Sequence, residues 1–497
     1  MEYLLGIDNG GTMVKAAIYT TAGDEVAVSS ERTQMIFPSP GHTERDMAEL
    51  WAANCRAISS VIAAAGINPQ TIKGVAVTGH GNGMYLVDGD GNATWNGIVS
   101  TDSRAERYVQ EWSSSGVGQR ALSRSRQSMW AAQPPALLRW FKEHHPGVLD
   151  QTRWILMCKD FVRFRLTGEA RAEITDYSGT NTVNVYNGEY DPELFSIYGI
   201  EWAMDKMPPL VGSGEIAGHV TEQAASQTGL LGGTPVAGGL FDITACAIGS
   251  GVLDSTQLCI IAGTWSINEY VADAPVLSPD LFMNSIYCVP GKTLVTEASP
   301  TSASNLEWFI NSFLQTETDR ARLFDRINTD VASITPEKSD LVFLPYLFGS
   351  NVASGASGTL LGMHGWHSQA HILRSIYEGV VFSHRLHIDK LLSHRDMPLS
   401  ARIAGGAAHS DTWLQMFADV LQVAIEVPET EELGAMGAAM CAGMATGAFE
   451  SFDSAVASMV KVRTRVEPQQ NYAEVYQRKY RRFKDAIGAL ESFWSVD

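Results

Sequence analysis

Short apolar runs joined by glycine-rich turns open the chain. Residues 3–7 and 14–19 are two such runs, and Asp8-Asn9-Gly10-Gly11-Thr12 lies between them. An apolar run, a glycine turn and a second run predict a β-hairpin. Residues 46–66 instead carry their apolar side chains at helical spacing. Strands that alternate with hairpins and helices predict the layers of an α/β fold.

A similar pattern recurs about half a chain later. An apolar run at 258–262 ends at the turn Gly263-Thr264, and residues 265–271 form the return strand of a second predicted hairpin. Two hairpins of this kind suggest two related domains. Apolar periodicity predicts four helices after the second hairpin, at 303–313, 370–392, 411–423 and 471–493. The stretch 349–358, rich in glycine, serine and alanine, predicts a loop.

Length and composition argue against several classes of protein. A chain of 497 residues needs two or three domains, and its 45% apolar and 18% charged residues are typical of a globular protein. The net charge of −19, without basic runs, argues against a nucleic-acid partner. No apolar run reaches the ~18–20 residues that cross a bilayer. The six cysteines are scattered, and no signal peptide is evident, so we expect a cytoplasmic protein with reduced thiols and no membrane partner.

The turn after the first strand is a candidate phosphate site. Glycine backbone N–H groups can approach phosphate oxygens closely, and the Thr12 hydroxyl adds a donor. Asp8, at the end of the strand, can hold Mg²⁺ directly or through water. The alternative interpretation is an ordinary hairpin turn of Asp-Asn-Gly type. The pattern is neither a P-loop nor a dinucleotide-binding fingerprint.

Asp242 is the candidate for proton transfer. Residues 236–240 predict a buried strand, and Asp242 follows its carboxyl end, where ligands bind in α/β sheets. A carboxylate there can accept a proton from a substrate hydroxyl, as phosphoryl transfer to an alcohol requires. The alternative interpretation is a helix cap, because residues 243–249 can begin a helix.

Three further segments are candidates for binding. Gly405-Gly406 precedes a predicted helix and suits a purine or ribose lying on the backbone, although a tight turn is the simpler interpretation. Residues 78–83 and 101–104 are polar clusters after predicted strands. Each can bind sugar hydroxyls, and each can equally be a solvated turn.

The order of these segments resembles the FGGY family of carbohydrate kinases over nearly the whole chain. Residues 6–12 resemble the first phosphate hairpin of that family. The pattern Gly358-x-Leu360-x-Gly362-Met363, followed by His371 to Glu378, fits the second family signature at every position and is the most specific match. Residues 405–421 resemble the adenosine motif, and residues 432–439 follow it as in the family.

Several segments are most similar to the L-xylulose kinases of this family. They are residues 100–104, 239–242, 263–265 and 297–309. The position of Asn82 varies across the family, with His usual in D-xylulose kinases and Glu in glycerol kinases. Asn82 fits neither, which argues against both of those substrates.

The resemblance implies two ribonuclease-H-like, actin-like ATPase domains with a central cleft. Residues 1–245 would carry the sugar site and the first phosphate hairpin, and residues 246–497 the nucleotide site. Asp242 would be the general base, and Asp8 and Asp242 would hold Mg²⁺. The residues expected around ATP are Gly10, Gly11, Thr12, Gly263, Thr264, Gly349, Gly406 and Ser410. The residues expected around the sugar are His80, Gly81, Asn82, Asp102 and Arg104.

The function that the resemblance implies is ATP-dependent phosphorylation of a terminal hydroxyl of a ketopentose. L-xylulose or a near epimer is the expected substrate, and the partner is this small sugar; a homodimer is left open. The alternatives are a kinase for D-xylulose, D-ribulose, erythritol or glycerol. Two other classes are an actin- or chaperone-like ATPase that needs no sugar, and a sugar-binding regulator without catalysis.

Overall fold

The computed structural model describes residues 1–314, 319–353 and 355–495. They form two compact units, and the chain passes between them more than once. Unit 1 contains residues 1–254, 271–295 and 432–461. Unit 2 contains residues 255–270, 296–431 and the residues from Val462 onward. The boundary expected at residue 245 stays a prediction.

The strands, in chain order, are β1 (Tyr3–Asn9), β2 (Met13–Thr20), β3 (Glu25–Arg32), β4 (Glu44–Arg45), β5 (Ile72–Gly79), β6 (Tyr85–Val87), β7 (Gly97–Ile98), β8 (Trp154–Leu156), β9 (Ala172–Glu173), β10 (Val183–Asn184), β11 (Glu189–Tyr190), β12 (Leu210–Val211), β13 (Ile216–His219), β14 (Pro235–Ala237), β15 (Leu240–Phe241), β16 (Gln257–Ala262), β17 (Ser266–Ala272), β18 (Met283–Ile286), β19 (Thr293–Ser299), β20 (Val342–Leu344), β21 (Thr359–Leu361), β22 (Ser400–Ala404), β23 (Ala424–Pro428) and β24 (Val462–Val466).

The α-helices are α1 (Met47–Ala65), α2 (Glu106–Ser114), α3 (Val117–Ser125), α4 (Pro134–His144), α5 (Pro146–Gln151), α6 (Cys158–Thr167), α7 (Ile174–Tyr177), α8 (Pro192–Tyr198), α9 (Glu222–Thr228), α10 (Asp242–Gly249), α11 (Ser304–Phe313), α12 (Arg320–Ser333), α13 (Gln369–Leu392), α14 (Asp411–Leu421), α15 (Leu433–Ala445), α16 (Phe452–Met459) and α17 (Ala473–Trp494). Short 3₁₀ turns lie at Pro69–Thr71, Glu201–Lys206, Pro336–Lys338, Gly406–His409 and Gln470–Tyr472.

A seven-stranded sheet forms the centre of unit 1. Its order is β13-β14-β5-β1-β2-β3, and β15 also pairs with β5. Because β1 and β15 both run parallel to β5, their carboxyl ends meet at one edge, where Asn9 and Phe241 lie opposite Gly79. That edge is where α/β sheets place their ligands.

Helix α1 shows how the sequence pattern produces this packing. Its apolar positions recur at helical spacing, and the side chains of Leu50, Ile58 and Val61 are buried in the core of unit 1. The Asp46 side chain caps the helix by accepting the N–H of Ala48 at 2.7 Å and that of Glu49 at 2.9 Å. The helix ends at Gly66, where φ is 61°.

A second seven-stranded sheet has the order β18-β19-β17-β16-β22-β23-β24. Its strands β16 and β22 lie in unit 2 and run parallel, with Ile261 opposite Ala404. The turns that follow them, Gly263-Thr264 and Gly405-Gly406, therefore leave the sheet at the same edge. Both large sheets carry helices, so the predicted α/β fold is confirmed.

The predicted strand at 236–240 differs from the observed one. It is broken into β14 and β15 by Gly238 and Gly239, whose backbones press against other segments. A Cβ on Gly239 would lie 2.0 Å from the carbonyl oxygen of Val77, and φ at Gly239 is 84°. Close backbone approach, which apolar periodicity does not report, interrupts the strand just before Asp242.

None of the helices in the described part of the chain has both the length and the apolar character that a membrane span requires.

Candidate active site

Asp8 lies at the end of β1 with a carboxylate that the protein leaves partly unpaired. Its Oδ1 atom is buried and accepts no hydrogen bond. Burial raises the pKa of Asp8 to about 6, the charge of Glu432 adds to the rise, and Lys15 opposes it. A buried carboxylate oxygen without a donor fits a cation ligand.

The turn Gly10-Gly11-Thr12 connects β1 to β2, as predicted. The buried guanidinium of Arg45 donates to the carbonyl oxygen of Gly10 at 3.0 Å and to that of Gly11. These bonds fix the turn without using its N–H groups, which are the groups that a phosphate would need. The role of the turn in binding nucleotide stays a prediction.

Asp242 is the first residue of α10 and directly follows the end of β15. Its Oδ1 accepts the backbone N–H of Ile243 at 2.7 Å. Burial raises the pKa of Asp242 well above its ordinary value, and the negative charge of Asp8 raises it further. Asp242 therefore follows a strand, as predicted, but the cap interpretation is wrong, because Phe241 occupies the cap position and Asp242 is the first residue of the helix itself. A carboxylate of raised pKa at a sheet edge can take a proton from an alcohol.

The turn after β5 brings three predicted sugar residues to the same edge. The buried His80 ring bonds the hydroxyl of Tyr85 through Nε2 at 2.9 Å, while its Nδ1 has no partner. Burial lowers the pKa of His80 to about 3, so the ring is neutral. Gly81 packs against the ring of Phe241, where a Cβ would lie 2.3 Å from Cε2.

Asn82 has a left-handed backbone, with φ of 58°. Its Oδ1 is buried and accepts no hydrogen bond. Asparagine tolerates this backbone better than most residues, so the conformation presents a polar side chain where glycine would present none. The turn therefore holds two unpaired polar atoms, His80 Nδ1 and Asn82 Oδ1, that a sugar hydroxyl can satisfy.

Asp102 and Arg104 are bound to each other. Asp102 accepts hydrogen bonds from the backbone N–H of Thr43 at 2.6 Å and from three nitrogens of Arg104 at 2.8–3.0 Å. Arg104 also donates to Glu44 at 2.9 Å and lies 4.9 Å from the ring centroid of Trp140. Its Nη1 is buried without a partner. Arg104 therefore has a proton left for a ligand, whereas the carboxylate of Asp102 is engaged by four donors; their role in sugar binding stays a prediction.

Sequence reasoning missed a buried charge cluster in unit 1. It consists of Lys159, Asp160, Arg163, Glu173 and Asp176, and each of these residues is 0% exposed. The available signal was three charged residues within the otherwise apolar start of α6. The pairing of Lys159 with Asp176, 17 residues further along the chain, could not be read from spacing.

A cavity of about 550 Å³ in unit 2 brings together four of the predicted nucleotide residues. The residues that line it are Gly263, Thr264, Ala303, Ser304, Leu306, Glu307, Phe324, Asn328, Tyr377, Gly406, His409, Ser410 and Trp413. Gly349 is outside this lining; its φ is 98°, and its N–H donates to the carbonyl oxygen of Tyr346 at 3.3 Å. Gly263 and Gly406 are not crowded by other atoms. A Cβ added to Gly263 would have no neighbour within 4 Å, and a Cβ added to Gly406 would have none nearer than 3.8 Å.

One wall of this cavity is aromatic and ends in hydroxyl groups. The rings of Tyr377 and Trp413 stack with centroids 4.2 Å apart. Ser410 caps α14 by accepting the N–H of Trp413 at 3.1 Å and donates to Asn328 Oδ1 at 2.6 Å. Tyr377 donates to the same oxygen at 3.1 Å. Flat apolar surface with a few fixed polar groups is typical of a nucleoside site. Asn328 was not predicted, because no motif marks it.

Within residues 1–314, 319–353 and 355–495, no three His, Cys, Asp or Glu side chains lie together in a metal-binding group. Mg²⁺ in phosphoryl-transfer enzymes is usually held by one or two carboxylates together with phosphate oxygens. Asp8 and Asp242 fit that smaller donor set, since burial raises the pKa of both carboxyl groups and a bound cation would lower it.

Comparison with known proteins gives matches over almost the whole chain. The N-terminal domain of the FGGY family of carbohydrate kinases matches residues 3–249, and its C-terminal domain matches residues 258–446. The chain is similar to a probable L-xylulose kinase of Pasteurella multocida (strain Pm70), with 39% identity over 99% of this chain and 100% of the relative. It is also similar to the L-xylulose/3-keto-L-gulonate kinase of Escherichia coli (strain K12), with 37% identity over 99% of this chain and 98% of the relative.

The fold has a counterpart of known structure. The crystal structure of xylulose kinase from Rhodospirillum rubrum matches with a TM-score of 0.90 and 26% identity, covering 100% of both chains. This two-domain architecture is the ribonuclease-H-like, actin-like arrangement expected from the order of the motifs. The two matched domains cover more than half of the chain, so the protein belongs to the FGGY family of carbohydrate kinases.

Proposed function

We propose that the protein transfers the γ-phosphoryl group of ATP to a terminal hydroxyl of a ketopentose, with L-xylulose or a near epimer as the best substrate. The names of two relatives, at 39% and 37% identity, support this choice of sugar. The aromatic cavity of unit 2 supports a nucleotide as the donor.

One observation carries the proposal. It is that Asp242, whose pKa is raised by burial, and the turn after β5, which has two buried polar atoms without partners, both follow strands at the carboxyl edge of the unit 1 sheet. A turn that leaves His80 Nδ1 and Asn82 Oδ1 unpaired is unfavourable unless a ligand satisfies them. A polyhydroxylated substrate supplies such partners, and Asp242 supplies the base.

In the proposed reaction the substrate oxygen attacks the γ-phosphorus, its proton passes to Asp242, the bond to the β-phosphate oxygen breaks, and ADP leaves. His80 and Asn82 orient the sugar, and Gly263 and Thr264 contact phosphate. Asp8 and Asp242 are the residues that would hold Mg²⁺, which supplies neutralisation of the phosphate charge. Little covalent work falls to the protein, so positioning and electrostatics account for most of the rate.

The other hypotheses are weaker. An actin- or chaperone-like ATPase is not favoured, because the relatives that match along the full chain are sugar kinases. D-xylulose, D-ribulose, erythritol and glycerol remain alternative acceptors. A homodimer and a cytoplasmic location, where ATP is available, remain predictions.

Rates on the four ketopentoses, erythritol and glycerol, each measured by ADP release, test the substrate. A site with several groups that pair with hydroxyls rejects a substrate that leaves them unpaired. We expect L-xylulose or a near epimer to be best and glycerol to be poorer by at least ~10²-fold in kcat/KM, or ~3 kcal/mol. If glycerol or erythritol is the best substrate, the proposal that the pocket pairs with the hydroxyls of a ketopentose is wrong. If D-xylulose is the best substrate, only the choice of epimer is wrong.

A further inference from the structure

The buried charge cluster of unit 1 contacts both segments that present the sugar-site residues. Lys159 pairs with Asp160 at 2.8 Å, with Asp176 at 3.1 Å and with Glu173 at 3.5 Å. Arg163 pairs with Asp160 at 2.7 Å. Desolvating five charges is costly, and buried ion pairs often add little net stability compared with apolar side chains. The energy of ion pairing alone therefore does not explain why the cluster is buried.

Thr175 connects the cluster to the base. Its hydroxyl donates to Glu173 Oε2 at 2.8 Å and accepts the backbone N–H of Phe241 at 3.0 Å. Phe241 directly precedes Asp242 and closes β15. The preceding residues, Gly238 and Gly239, allow many backbone conformations. The bond from Phe241 to Thr175 therefore adds a side-chain contact that holds the strand end directly before Asp242.

Asp176 connects the cluster to the sugar turn. Its Oδ2 accepts from Lys159, and its Oδ1 accepts the backbone N–H of Asn82 at 3.4 Å. A left-handed backbone at a residue other than glycine costs about 1–3 kcal/mol and persists only when surrounding contacts hold it. Asp176 supplies one such contact to Asn82, while Lys159 keeps the carboxylate in place.

We propose that this cluster positions the two sides of the sugar site, with Thr175 as a positioning residue for Asp242 and Asp176 as a positioning residue for Asn82. The proposal rests on the proposed function, because it takes the sugar to lie between these two residues. Lys159 is the shared element, since it pairs with the carboxylate that holds Thr175 and with Asp176 itself. A displacement of about 1 Å at such a site can lower the rate ~10²-fold.

The first test uses Thr175→Val, Thr175→Ser and the control Thr228→Val. The control loses a buried hydroxyl of unit 1 that donates to the carbonyl oxygen of Ala224 at 2.7 Å, far from the cluster in the sequence. With L-xylulose as the sugar, we expect Thr175→Val to lower kcat ~10–100-fold and leave the KM for ATP within ~2-fold, whereas Thr175→Ser restores the bond and stays within ~3-fold of wild type. A Thr175→Val enzyme as fast as Thr228→Val, or a Thr175→Ser enzyme as slow as Thr175→Val, overturns the role of Thr175.

The second test separates Asp176 as a hydrogen-bond acceptor from Asp176 as a structural ion. Asp176→Asn keeps an acceptor oxygen, and Asp176→Ala removes it. We expect Asp176→Ala to raise the KM for L-xylulose about tenfold with a smaller change in kcat, and Asp176→Asn to recover most of that loss. Equal KM values for the two variants, at similar unfolding midpoints, overturn the role of Asp176.

The two proposals fail separately. If the wild-type enzyme phosphorylates no ketopentose, the proposed function is wrong. If the wild-type enzyme turns over, Asp242→Asn is inactive, and Thr175→Val and Asp176→Ala behave like Thr228→Val, only the positioning role is wrong.

Discussion

Single residues decide the chemistry, and Asp242 is the residue from which most is expected. Asn at this position keeps the size of the side chain but cannot accept the substrate proton. We expect Asp242→Asn to lower kcat ~10²–10⁴-fold, the contribution of a positioned base, with little change in the KM for sugar. The measurement is steady-state ADP release, with far-ultraviolet circular dichroism to confirm folding. Near-normal turnover by a folded variant would reject Asp242 as the base.

Asp8 gives stability a dependence on pH. Its pKa is raised to about 6 by burial, from 3.8. Between these values the folded state binds more protons than the unfolded state, so this group lowers the free energy of unfolding as pH rises from about 4 to about 6. Although Oδ1 is buried, the residue as a whole is of intermediate exposure. We therefore expect the unfolding free energy of Asp8→Asn to exceed that of wild type by ~1–2 kcal/mol at pH 8, with the difference lost at pH 4.

Urea unfolding of the wild type and of Asp8→Asn at both pH values, without nucleotide or Mg²⁺, measures this difference. The variant should also be nearly inactive. A variant that is more stable but inactive would show that Asp8 destabilises the folded protein and is required for function. Equal unfolding free energies of the two proteins at pH 8 would show that burial of the ionised Asp8 carboxylate does not destabilise the folded protein.

At the scale of residues, the sequence was informative where a motif contains the residue. Asp8, Asp242 and the turn at His80 were all predicted and lie at one sheet edge. Lys159 and Asn328 were not predicted, since each acts through partners that are distant in the chain. Pairing of that kind depends on the folded backbone and leaves no local pattern.

Helix α15 shows what an element contributes beyond its own residues. Its small side chains allow β1 and α10 to approach closely: a Cβ on Gly6 would lie 1.9 Å from the carbonyl oxygen of Ala435, and one on Gly437 would lie 2.3 Å from that of Ala245. The same helix brings Gly434 against Asp8. The small residues of α15 therefore pack in the core of unit 1 and also form the wall behind Asp8, the predicted metal ligand.

Gly434→Ala tests this wall. The new Cβ would lie 2.3 Å from Asp8 Oδ2, so the helix or the carboxylate must move. We expect a loss of ~1–3 kcal/mol in unfolding free energy, as for overpacked sites, and a lower kcat. Gly488→Ala is the matched control, because Gly488 is exposed on α17 with nothing near its Cβ position. The unfolding free energy of the control should rise by up to ~1 kcal/mol, because alanine favours a helix more than glycine does. If Gly434→Ala is stabilised in the same way, the close contact between Gly434 and Asp8 is contradicted.

Elements were predicted well where one periodicity continues. Helix α13 was expected at 370–392 and spans Gln369–Leu392, and α1 was expected at 46–66 and spans Met47–Ala65. The prediction of a single strand at 236–240 was wrong. The strand is interrupted at Gly238 and Gly239, where the backbone lies in close contact with other segments. Periodicity reports which face of an element is buried, and it does not report what presses on the backbone.

At the scale of the whole molecule, the two units are not two consecutive halves of the chain. Unit 1 takes residues 432–461 from beyond most of unit 2. Hydrophobic patterning marks these residues as buried but says nothing about which core receives them. The family resemblance supplied the architecture, whereas the assignment of each segment to a unit required the structure.

This interleaving predicts that residues 1–254 do not form a stable protein when expressed alone. The fragment lacks α15, whose residues Leu433–Gly443 are buried within unit 1 and cover β1 and β5. Exposing that apolar surface to water removes the main favourable term of folding. We expect an insoluble fragment, or one without a cooperative thermal transition. A soluble fragment that unfolds cooperatively would contradict this expectation.

The same late return of the chain sets a waiting time during synthesis. The helix that completes the first unit begins at Leu433, well after Asp254, which ends its first segment. At ~5–20 residues per second, the ribosome needs roughly 10–35 s to cover that interval. During this time, the apolar surface of the nascent sheet that α15 later covers is exposed and can associate with other chains. Chaperone demand and sensitivity to slowed translation should therefore arise in the interval between residues 254 and 433, and not at the catalytic residues themselves.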